Sequence, residues 1–267
     1  MTPASTAPGS HAPGPILLWS DYPRSIADLL SLGATWRLLA TAPRADAHPV
    51  LVLPGLGTSD IATVPLRRYL TYLGYRAYGW HLGRNIGPTA AVVEGMRIRL
   101  AQIHERHDEQ VTIVGWSLGG IYARQLARRS PELVRQVITL GSPIKLRGHR
   151  QSNARRLFRY YAPRHAERLQ LPLEQGLGAL PVPTSSFYSR LDGVVAWQAC
   201  LDTPGHHAEN IEVYASHFGF CHHPAVLWAI ADRLALPAGQ WEPFRPPSWG
   251  RLVYATPKQR HGFSTSP

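Results

Sequence analysis

The stretch QVTIVGWSLGGIYARQLARRSPE, residues 110–132, joins a strand pattern directly to a helix pattern. Residues 111–114 are mostly β-branched and apolar, as expected for a buried strand of a parallel sheet. From Leu118 onward, small and apolar residues recur among arginines, which predicts an amphipathic helix. Ser117 lies between the two patterns, with glycines two residues before and two residues after it. The sequence therefore predicts a sharp strand–turn–helix junction with a serine at its tip.

The glycines at this junction suit a tight approach of the strand to the helix, because side chains there would block it. The turn would raise Ser117 at the N-terminal end of the helix and leave its hydroxyl exposed. This is the Gly-x-Ser-x-Gly elbow of serine nucleophiles, in the strand–turn–helix context that the elbow requires. The alternative is a serine that only caps the helix. Because the motif also occurs by chance, the choice depends on its partner side chains.

Composition indicates one large domain, since the chain has 267 residues and 44% of them are hydrophobic. Residues 1–15, MTPASTAPGSHAPGP, predict a disordered tail because Pro, Ala, Ser and Gly dominate them. They lack the basic and apolar regions of a secretory signal. No stretch has the apolar length of a membrane span. We therefore expect a cytoplasmic protein, with a peripheral contact as the form that any membrane association would take.

Strand patterns alternate with helix patterns along the rest of the chain. This alternation predicts an α/β fold with a mostly parallel, doubly wound sheet of about six strands. The domain would span residues 16–236, followed by an irregular extension rich in Pro and Trp at residues 237–267. The predicted strand segments are 49–60, in which a buried strand runs into a glycine loop, and 76–80, 111–114, 134–143, 182–195 and 210–219. The predicted helices are 25–43, 64–75, 88–107, the segment after 118, and 223–236.

Residues 144–181 interrupt the alternation between two strands. Insertions of this length inside a compact domain are usually functional, and lids are one example. The apolar positions of the insertion predict short amphipathic helices that cover a pocket. These positions are Leu157, Phe158, Tyr160, Tyr161, Leu169 and Leu171.

The same insertion carries much of the formal net charge of +11, with eight basic residues against two acidic ones. A basic patch can attract an anionic lipid surface, an acidic substrate or nucleic acid. The alternative is an ordinary solvated helix face. Nucleic-acid binding would more often expose aromatic side chains for stacking, and here the aromatics are expected to face inward. We therefore expect no nucleic-acid partner.

A nucleophilic serine needs a base that accepts its proton, and the base needs an acid that orients it. Asp192 and His217 each lie at the carboxyl end of a predicted strand, the edge where open α/β sheets place their active sites. His222 and His223 lie at the start of the last helix, where a polar residue is ordinarily a cap. Asp192 and His217 are therefore the predicted partners of Ser117.

Backbone N–H groups can stabilise the oxyanion that forms when a serine attacks a carbonyl. The N–H of Leu118 follows the nucleophile directly. The second donor is expected from the loop PGLGTS at residues 54–59, with Leu56 as the best candidate. The alternative for this loop is a turn that merely ends a strand.

Taken together, these motifs resemble the α/β-hydrolase superfamily, and within it the bacterial lipases and esterases. The resemblance spans residues 49–236 and depends on VLVLPGLGTSD, YGWHLGRNIGP, IVGWSLGGIYAR, ITLGSP, SRLDGVVAW and SHFGF. It departs from many relatives at Pro54-Gly55, where they have His-Gly. What the resemblance implies is hydrolysis of lipophilic carboxylic esters through an acyl-enzyme, without a metal or organic cofactor.

Two other readings stay open. An acyltransferase or thioesterase would use the same three side chains, and a non-catalytic binding module could use the same scaffold. Cys200 and Cys221 follow the candidate acid and base closely, so they form either a disulfide between the two loops or two reduced buried thiols. The oligomeric state is not indicated by any pattern.

Overall fold

The computed structural model describes residues 11–44, 46–145, 151–165, 178–203 and 205–254. Strands and helices alternate along this part of the chain, as the sequence predicts. The strands are β1 (Pro49–Leu53), β2 (Arg76–Gly79), β3 (Val111–Trp116), β4 (Val134–Leu140), β5 (Thr184–Tyr188) and β6 (Ala208–Glu212). The helices are α1 (Pro15–Leu39), α2 (Val64–Tyr72), α3 (Ala90–His107), α4 (Leu118–Arg129), α5 (Arg155–Tyr161) and α6 (Pro224–Leu234).

The strands described form one sheet in the order β2-β1-β3-β4-β5-β6, and each neighbouring pair is parallel. The prediction of a parallel sheet of about six strands is thus confirmed. Leu53 of β1 pairs with Gly115 of β3, and Trp116 pairs with Leu140 of β4. The carboxyl ends of the central strands are therefore in register, and the segments that follow them meet at one edge of the sheet.

Both faces of the sheet are covered, because side chains alternate along each strand. On β1, Val50 and Val52 join the core cluster that contains residues of α2 and α6, whereas Leu51 and Leu53 join the cluster that contains residues of α3 and α4. All five residues of β1 are buried. Continuous apolar strands of this kind are the sequence signature of a sheet buried on both faces.

Helix α1 begins ten residues earlier than the sequence predicts. Pro15 is its first residue, a favourable position because the missing N–H of proline has no intrahelical partner there. The helix continues through Pro23 and buries Asp21 and Ser25. The first half of the helix has no regular apolar periodicity and is held by buried polar side chains. Apolar periodicity therefore predicts only the second half. Residues 1–10 of the predicted disordered tail lie outside the described residues.

The described part of the C-terminal segment, residues 237–254, packs against the core. The ring of Trp228 on α6 lies 5.4 Å from that of Trp249 and 6.4 Å from that of Phe244. The hydroxyl of Tyr254 donates to the carbonyl of Ala225 at 2.7 Å. Aromatic burial thus joins residues 241–254 to the domain.

Among the helices described, none has the length and apolarity needed to cross a bilayer.

Candidate active site

Ser117 lies between β3 and α4 in a strained backbone conformation, with φ 54° and ψ −120°. Such a conformation costs on the order of 1–3 kcal/mol in a residue other than glycine and persists only where the surroundings enforce it. The surroundings here are close: a side chain on Gly115 would collide with the backbone of Gly119, and one on Gly119 would collide with the carbonyl of Leu53. The two glycines thus permit the tight elbow that the sequence predicts.

The hydroxyl of Ser117 is less open than the sequence suggests, since the residue is only 8% exposed. The loop after β1 approaches it so closely that a Cβ on Gly55 would lie 3.2 Å from the Cβ of Ser117. The ring of His217 covers another side. Loops that converge from separate strands therefore enclose the serine, which a local motif cannot indicate.

A chain of hydrogen bonds links the three predicted polar residues. Ser117 Oγ lies 3.1 Å from His217 Nε2, and His217 Nδ1 lies 2.8 Å from Asp192 Oδ2. With the ring proton on Nδ1, Nδ1–H donates to the carboxylate and Nε2 accepts from the serine hydroxyl. The other carboxylate oxygen, Oδ1, accepts from the N–H groups of Val194 and Val195 at 2.8 and 2.7 Å. Asp192 is thus held by its own loop while it orients the imidazole.

The electrostatic surroundings of His217 favour its protonated form. Burial of the ring alone would lower its pKa. The charge of Asp192, its hydrogen bond and the charge of Asp21 outweigh this effect, so the pKa of His217 is raised. A base with this environment can accept a proton from Ser117 and hold the resulting charge.

The ring and backbone of His217 are also fixed by aromatic neighbours. Trp116 Nε1 donates to the His217 carbonyl at 3.0 Å. The rings of Trp116, Phe218 and Phe220 lie 5.8, 5.8 and 6.4 Å from the imidazole. Because these contacts leave the imidazole little rotational freedom, the geometry of the hydrogen-bond chain is preorganised.

The two backbone donors predicted at Leu56 and Leu118 lie on the segments that flank Ser117. Within the described residues, no hydrogen bond from either N–H group is found. Gly57 has φ +78°, so the loop turns back directly after Leu56. Each of the two segments thus presents an N–H group without a partner among the described residues.

Asn85 holds this loop, and the sequence analysis did not identify it. Its side-chain Nδ2 donates to the Pro54 carbonyl at 2.8 Å, and its backbone exchanges bonds with Gly57 and Thr58 at 2.6 and 2.7 Å. Asn85 is fully buried. An asparagine inside RNIGP gives no signal of such a role, because its partners lie about thirty residues away in sequence.

Helix α5, from the predicted lid insertion, lies against the same loop. Leu157 Cδ2 lies 3.0 Å from the position that a Cβ on Gly57 would occupy, and Phe158 packs against the core cluster beside Leu56. His165 Nε2 reaches the Ile86 carbonyl at 2.9 Å. A short helix thus covers the loop that contains Leu56.

The expectation that all the aromatic and leucine side chains of the insertion face inward is only partly met. Phe158 and Tyr161 are half-buried, whereas Tyr160 is 69% exposed and Leu157 remains partly exposed. Helix α5 has only seven residues, which is too short to turn every apolar side chain to one side. The predicted positions Leu169 and Leu171 lie outside the described residues.

His222 and His223 do not cap α6 through their side chains, contrary to expectation. His222 Nε2 lies 2.8 Å from the carbonyl of Ser25 on α1, and His223 Nε2 lies 3.8 Å from Asp28 on the same helix. Neither bonds to Ser117. Burial lowers the pKa of both rings. These histidines join α6 to α1, so their role is packing between helices.

Cys200 and Cys221 do not form a disulfide with each other, and both are buried free thiols. Burial raises the pKa of Cys221 to about 12 and that of Cys200 well above its ordinary value. Across the described part of the chain, no group of three His, Cys, Asp or Glu side chains is arranged to hold a metal ion.

A second set of three hydrogen-bonded side chains, Thr112, His48 and Asp46, lies at the opposite end of the strands. His48 Nε2 lies 3.0 Å from Thr112 Oγ1, and its Nδ1 lies 3.1 Å from Asp46 Oδ1. Thr112 and His48 are both fully buried, and Thr112 lies in β3, where it pairs with Val50 of β1 beside an irregularity in the register with β4. Without an elbow or access to substrate, this arrangement fastens β1 to β3. Hydrogen bonding alone therefore does not define a reactive serine or threonine.

A family model of the alpha/beta hydrolase fold matches residues 51–176. This segment contains Ser117, the loop of Leu56 and α5. Together with the parallel sheet, this match shows that the chain has the α/β-hydrolase fold.

Solved structures with the same fold include lipolytic enzymes. Lipase B of Aspergillus fumigatus superposes with a TM-score of 0.56 at 16% identity over 76% of this chain, which spans 58% of that lipase. A structure described for the metagenome-derived lipolytic enzymes LipS and LipT gives 0.54 at 16% identity, over 72% of this chain and 94% of that one. The pyrethroid hydrolase PytH gives 0.50 at 19% identity, over 73% and 100%. A search of curated proteins found no match to the sequence.

Proposed function

We propose that the protein is a serine hydrolase of lipophilic carboxylic esters, with Ser117 as nucleophile, His217 as general base and Asp192 as the acid that orients His217. The observation that carries the proposal is the hydrogen-bonded chain of these residues at a strained elbow, with bond lengths of 3.1 and 2.8 Å. Strain at Ser117 and burial of all three residues are costly. Such costs are typical of functional sites.

In the proposed reaction, Ser117 Oγ attacks the ester carbonyl while His217 Nε2 takes the hydroxyl proton. The carbonyl oxygen becomes an oxyanion, which the N–H groups of Leu56 and Leu118 would stabilise. His217 then gives its proton to the leaving alcohol, and the acyl group stays on the serine. Water then attacks the acyl carbon while His217 Nε2 takes a proton from it. The bond to Ser117 Oγ breaks, His217 returns the proton to Oγ, and the acid product leaves. Throughout, Asp192 stabilises the imidazolium without taking its proton.

Apolar surroundings support a lipophilic substrate. Leu157 lies against the loop next to Ser117, and Leu56 and Phe158 pack against the same core cluster. The rings of Trp116 and Phe218 lie beside His217. Such a lining favours apolar acyl or alcohol groups over charged ones. Helix α5 is the part of the proposed lid that contacts this side, so its side chains would touch a long acyl chain.

A contact with an anionic lipid surface is part of the same proposal. Ile16 and Trp19 on α1 are 83% and 81% exposed, and they occupy one face with Ile26 and Leu30, which are also exposed. Exposed apolar and aromatic residues on one helix face suit the boundary of a bilayer. Pro13 lies just before α1, and Asn153 lies just before α5. The carbonyl of Pro13 accepts a hydrogen bond from Asn153 Nδ2 at 3.1 Å.

This bond joins the start of the apolar face to the arginine-bearing helix. Arg155, Arg156 and Arg159 on α5 are exposed. Positive charge beside an apolar face favours anionic lipid, and the net charge of +11 opposes the pairing of two copies of the chain through this face.

Hydrolysis of p-nitrophenyl esters of graded acyl length, by the wild type and by Ser117→Ala, tests the proposal. We expect turnover by the wild type and a loss of several orders of magnitude in the variant, because the covalent step needs the serine oxygen. Ser142→Ala is the matched control, since Ser142 is buried nearby but bonds to the carbonyls of Gly115 and Leu140. Equal turnover by the wild type and Ser117→Ala would overturn the proposal. Transfer of the acyl group to an added alcohol in preference to water would instead indicate an acyltransferase.

A further inference from the structure

Asp21 on α1 is a carboxylate with no exposed surface. It lies in the part of α1 that apolar periodicity does not predict, and the proposed reaction does not use it. Burial of a carboxylate is expensive unless hydrogen bonds or opposite charges compensate for lost hydration. The hydrogen-bond donors that offset the burial of Asp21 therefore indicate its role.

The carboxylate of Asp21 binds the backbone of two separate loops. Its Oδ1 accepts from the N–H of Gly193 at 2.8 Å and from the N–H of His217 at 2.9 Å. Its Oδ2 accepts from the N–H of Phe218 at 3.1 Å. Gly193 follows Asp192 directly, so one oxygen atom joins the loop of the proposed acid to the loop of the proposed base.

The fit of α1 against the first of these loops is a second, independent observation. A side chain at position 193 would collide with the carbonyl of Leu17, one turn before Asp21. Helix α1 thus approaches the loop closely enough that glycine is required. The close approach is what brings the carboxylate within 2.8 Å of the Gly193 N–H.

Bonds from N–H groups to a charged acceptor are stronger and more directional than bonds between neutral groups. Two such bonds to a single oxygen limit how far the Gly193 and His217 amides can move apart. Because Asp192 and His217 are anchored at these amides, the 2.8 Å bond between their side chains depends on the same restraint. Among the described residues, no backbone hydrogen bond joins residues 189–195 directly to residues 214–218.

We propose that Asp21 is a positioning residue, which holds the loops of Asp192 and His217 in the geometry that proton transfer from Ser117 requires. The proposal rests on the function proposed above. Asp21 does not touch the reacting atoms, and its effect passes through the backbone of the two residues that do.

Besides its hydrogen bonds to the two loops, Asp21 affects His217 through its negative charge. Burial, the largest effect on the pKa of His217, lowers it, whereas the charge and hydrogen bond of Asp192 raise it. The charge of Asp21 also raises this pKa, by a smaller amount. On α1, Arg24 Nη2 lies 3.4 Å from Asp21 Oδ1 and partly balances its charge. The remaining titratable groups nearby are Asp28, which bonds to Ser216 Oγ, and His222 and His223 at the start of α6.

The variant Asp21→Asn tests the proposal, because an amide matches the carboxylate in size but lacks its charge and offers one accepting oxygen. We expect kcat for a p-nitrophenyl ester to fall by about 10²-fold, the effect typical of a misplacement of about 1 Å in a catalytic group. KM should stay within about threefold, since ground-state binding does not involve Asp21. The acid limb of kcat/KM should move to lower pH, because a negative charge near His217 is lost.

Asp28→Asn is the matched control, since Asp28 also joins α1 to the segment before His217 but bonds only to a side chain there. It should leave kcat and the acid limb close to those of the wild type. If Asp21→Asn keeps the wild-type kcat and acid limb, the proposal is overturned. It is also overturned if activity falls only in proportion to the unfolded fraction measured by circular dichroism, with an unmoved acid limb, since a purely structural role predicts that result.

Two further measurements keep the proposal testable. Titration of the His217 ring by ¹⁵N NMR needs no turnover, and it should move to lower pH in Asp21→Asn. If the wild type hydrolyses no ester, the proposed function fails, and this titration alone decides whether Asp21 acts on His217. If Asp21→Asn does not fold, Arg24→Gln replaces it: removal of the balancing charge should move the His217 titration to higher pH, and no movement would contradict the proposal.

Discussion

At the scale of single residues, three histidines that lie within seven positions of one another have different environments. His217 bonds to Ser117 and Asp192, whereas His222 bonds to the backbone of Ser25 and His223 pairs with Asp28. The pKa of His217 is raised, and that of the other two is lowered by burial. All three residues are histidines, so their different bonds and pKa shifts come from their positions relative to Ser117.

This difference predicts how alanine substitutions will act. His217→Ala should reduce kcat/KM for a p-nitrophenyl ester by several orders of magnitude, as loss of the serine would, because the two residues act as a unit. His222→Ala and His223→Ala should reduce it by less than about tenfold while they lower thermal stability, since both bind α1. Steady-state kinetics and thermal melts of the three variants check this. A greater loss of activity in His222→Ala than in His217→Ala would contradict the assignment of the base.

At the scale of elements, two helices outside the alternating pattern contact the loops of the candidate site. Helix α5 covers the loop of Leu56 through Leu157 and Phe158. Helix α1 binds the loops of Asp192 and His217 through Asp21 and carries exposed apolar residues on its outer face. The parallel sheet positions Ser117, Asp192 and His217, and these two helices contact the loops around them.

Replacement of Leu157, Phe158 and Tyr161 together by serine should change hydrolysis of long-chain esters more than that of acetate esters. The reason is that an acyl chain longer than a few carbons would contact α5, whereas an acetyl group would not reach it. Rates on p-nitrophenyl acetate and p-nitrophenyl laurate give the ratio, which we expect to change by about tenfold. Tyr160→Ser is the control, because that side chain faces solvent. An equal loss on both esters in a folded triple variant would argue against a lid.

The exposed face of α1 predicts binding to vesicles that contain phosphatidylglycerol. Ile16→Ser combined with Trp19→Ser should weaken co-sedimentation with such vesicles by at least about tenfold, since each change removes apolar area from the bilayer boundary. Hydrolysis of a water-soluble acetate ester should be unaffected, because neither residue contacts the site. Equal co-sedimentation of the wild type and the double variant would exclude this face, and salt-sensitive binding of the wild type to DNA would support a nucleic-acid partner instead.

At the scale of the whole molecule, buried histidines connect stability to pH. Burial lowers the pKa of His48, His222 and His223 below the ordinary value of 6.5. In the unfolded chain these rings bind protons at pH values where the folded rings stay neutral. Their contribution to stability is therefore complete above pH 6.5 and is lost as the pH falls through the window between 6.5 and the folded pKa values. His217 has the opposite sign, because its pKa is raised.

We therefore expect the melting temperature to fall as the pH decreases from 7.5 to 5.5, because protonation of His48, His222 and His223 is unfavourable in the folded protein. The raised pKa of His217 should reduce this fall. Each unit of lowered pKa corresponds to about 1.4 kcal/mol, or about 3–6 °C for a domain of this size. His48→Gln should make the fall shallower, because glutamine can bond to Thr112 and Asp46 without titrating. Melts of both proteins at several pH values check this. A melting temperature that rises toward pH 5.5 would contradict the sign.

The sequence by itself determined the sheet and the polar residues at its edge. Apolar strand patterns, glycine-flanked Ser117, and the positions of Asp192 and His217 after predicted strands are local signals, because strand burial and tight turns constrain adjacent residues. The parallel register then brings segments after neighbouring strands together. For this reason the residues that meet at 3.1 and 2.8 Å could be named from sequence.

The tertiary structure alone decided what surrounds these residues. Asp21 and Asn85 are single polar residues whose partners lie far away in sequence, so no periodicity or spacing marks them. The burial of Ser117, the exposure of Tyr160 and the packing of Trp249 on α6 depend in the same way on which segments come together in space. A side chain's neighbours along the chain set its local conformation, but burial and charge balance are set by contacts that form only when the whole chain has folded.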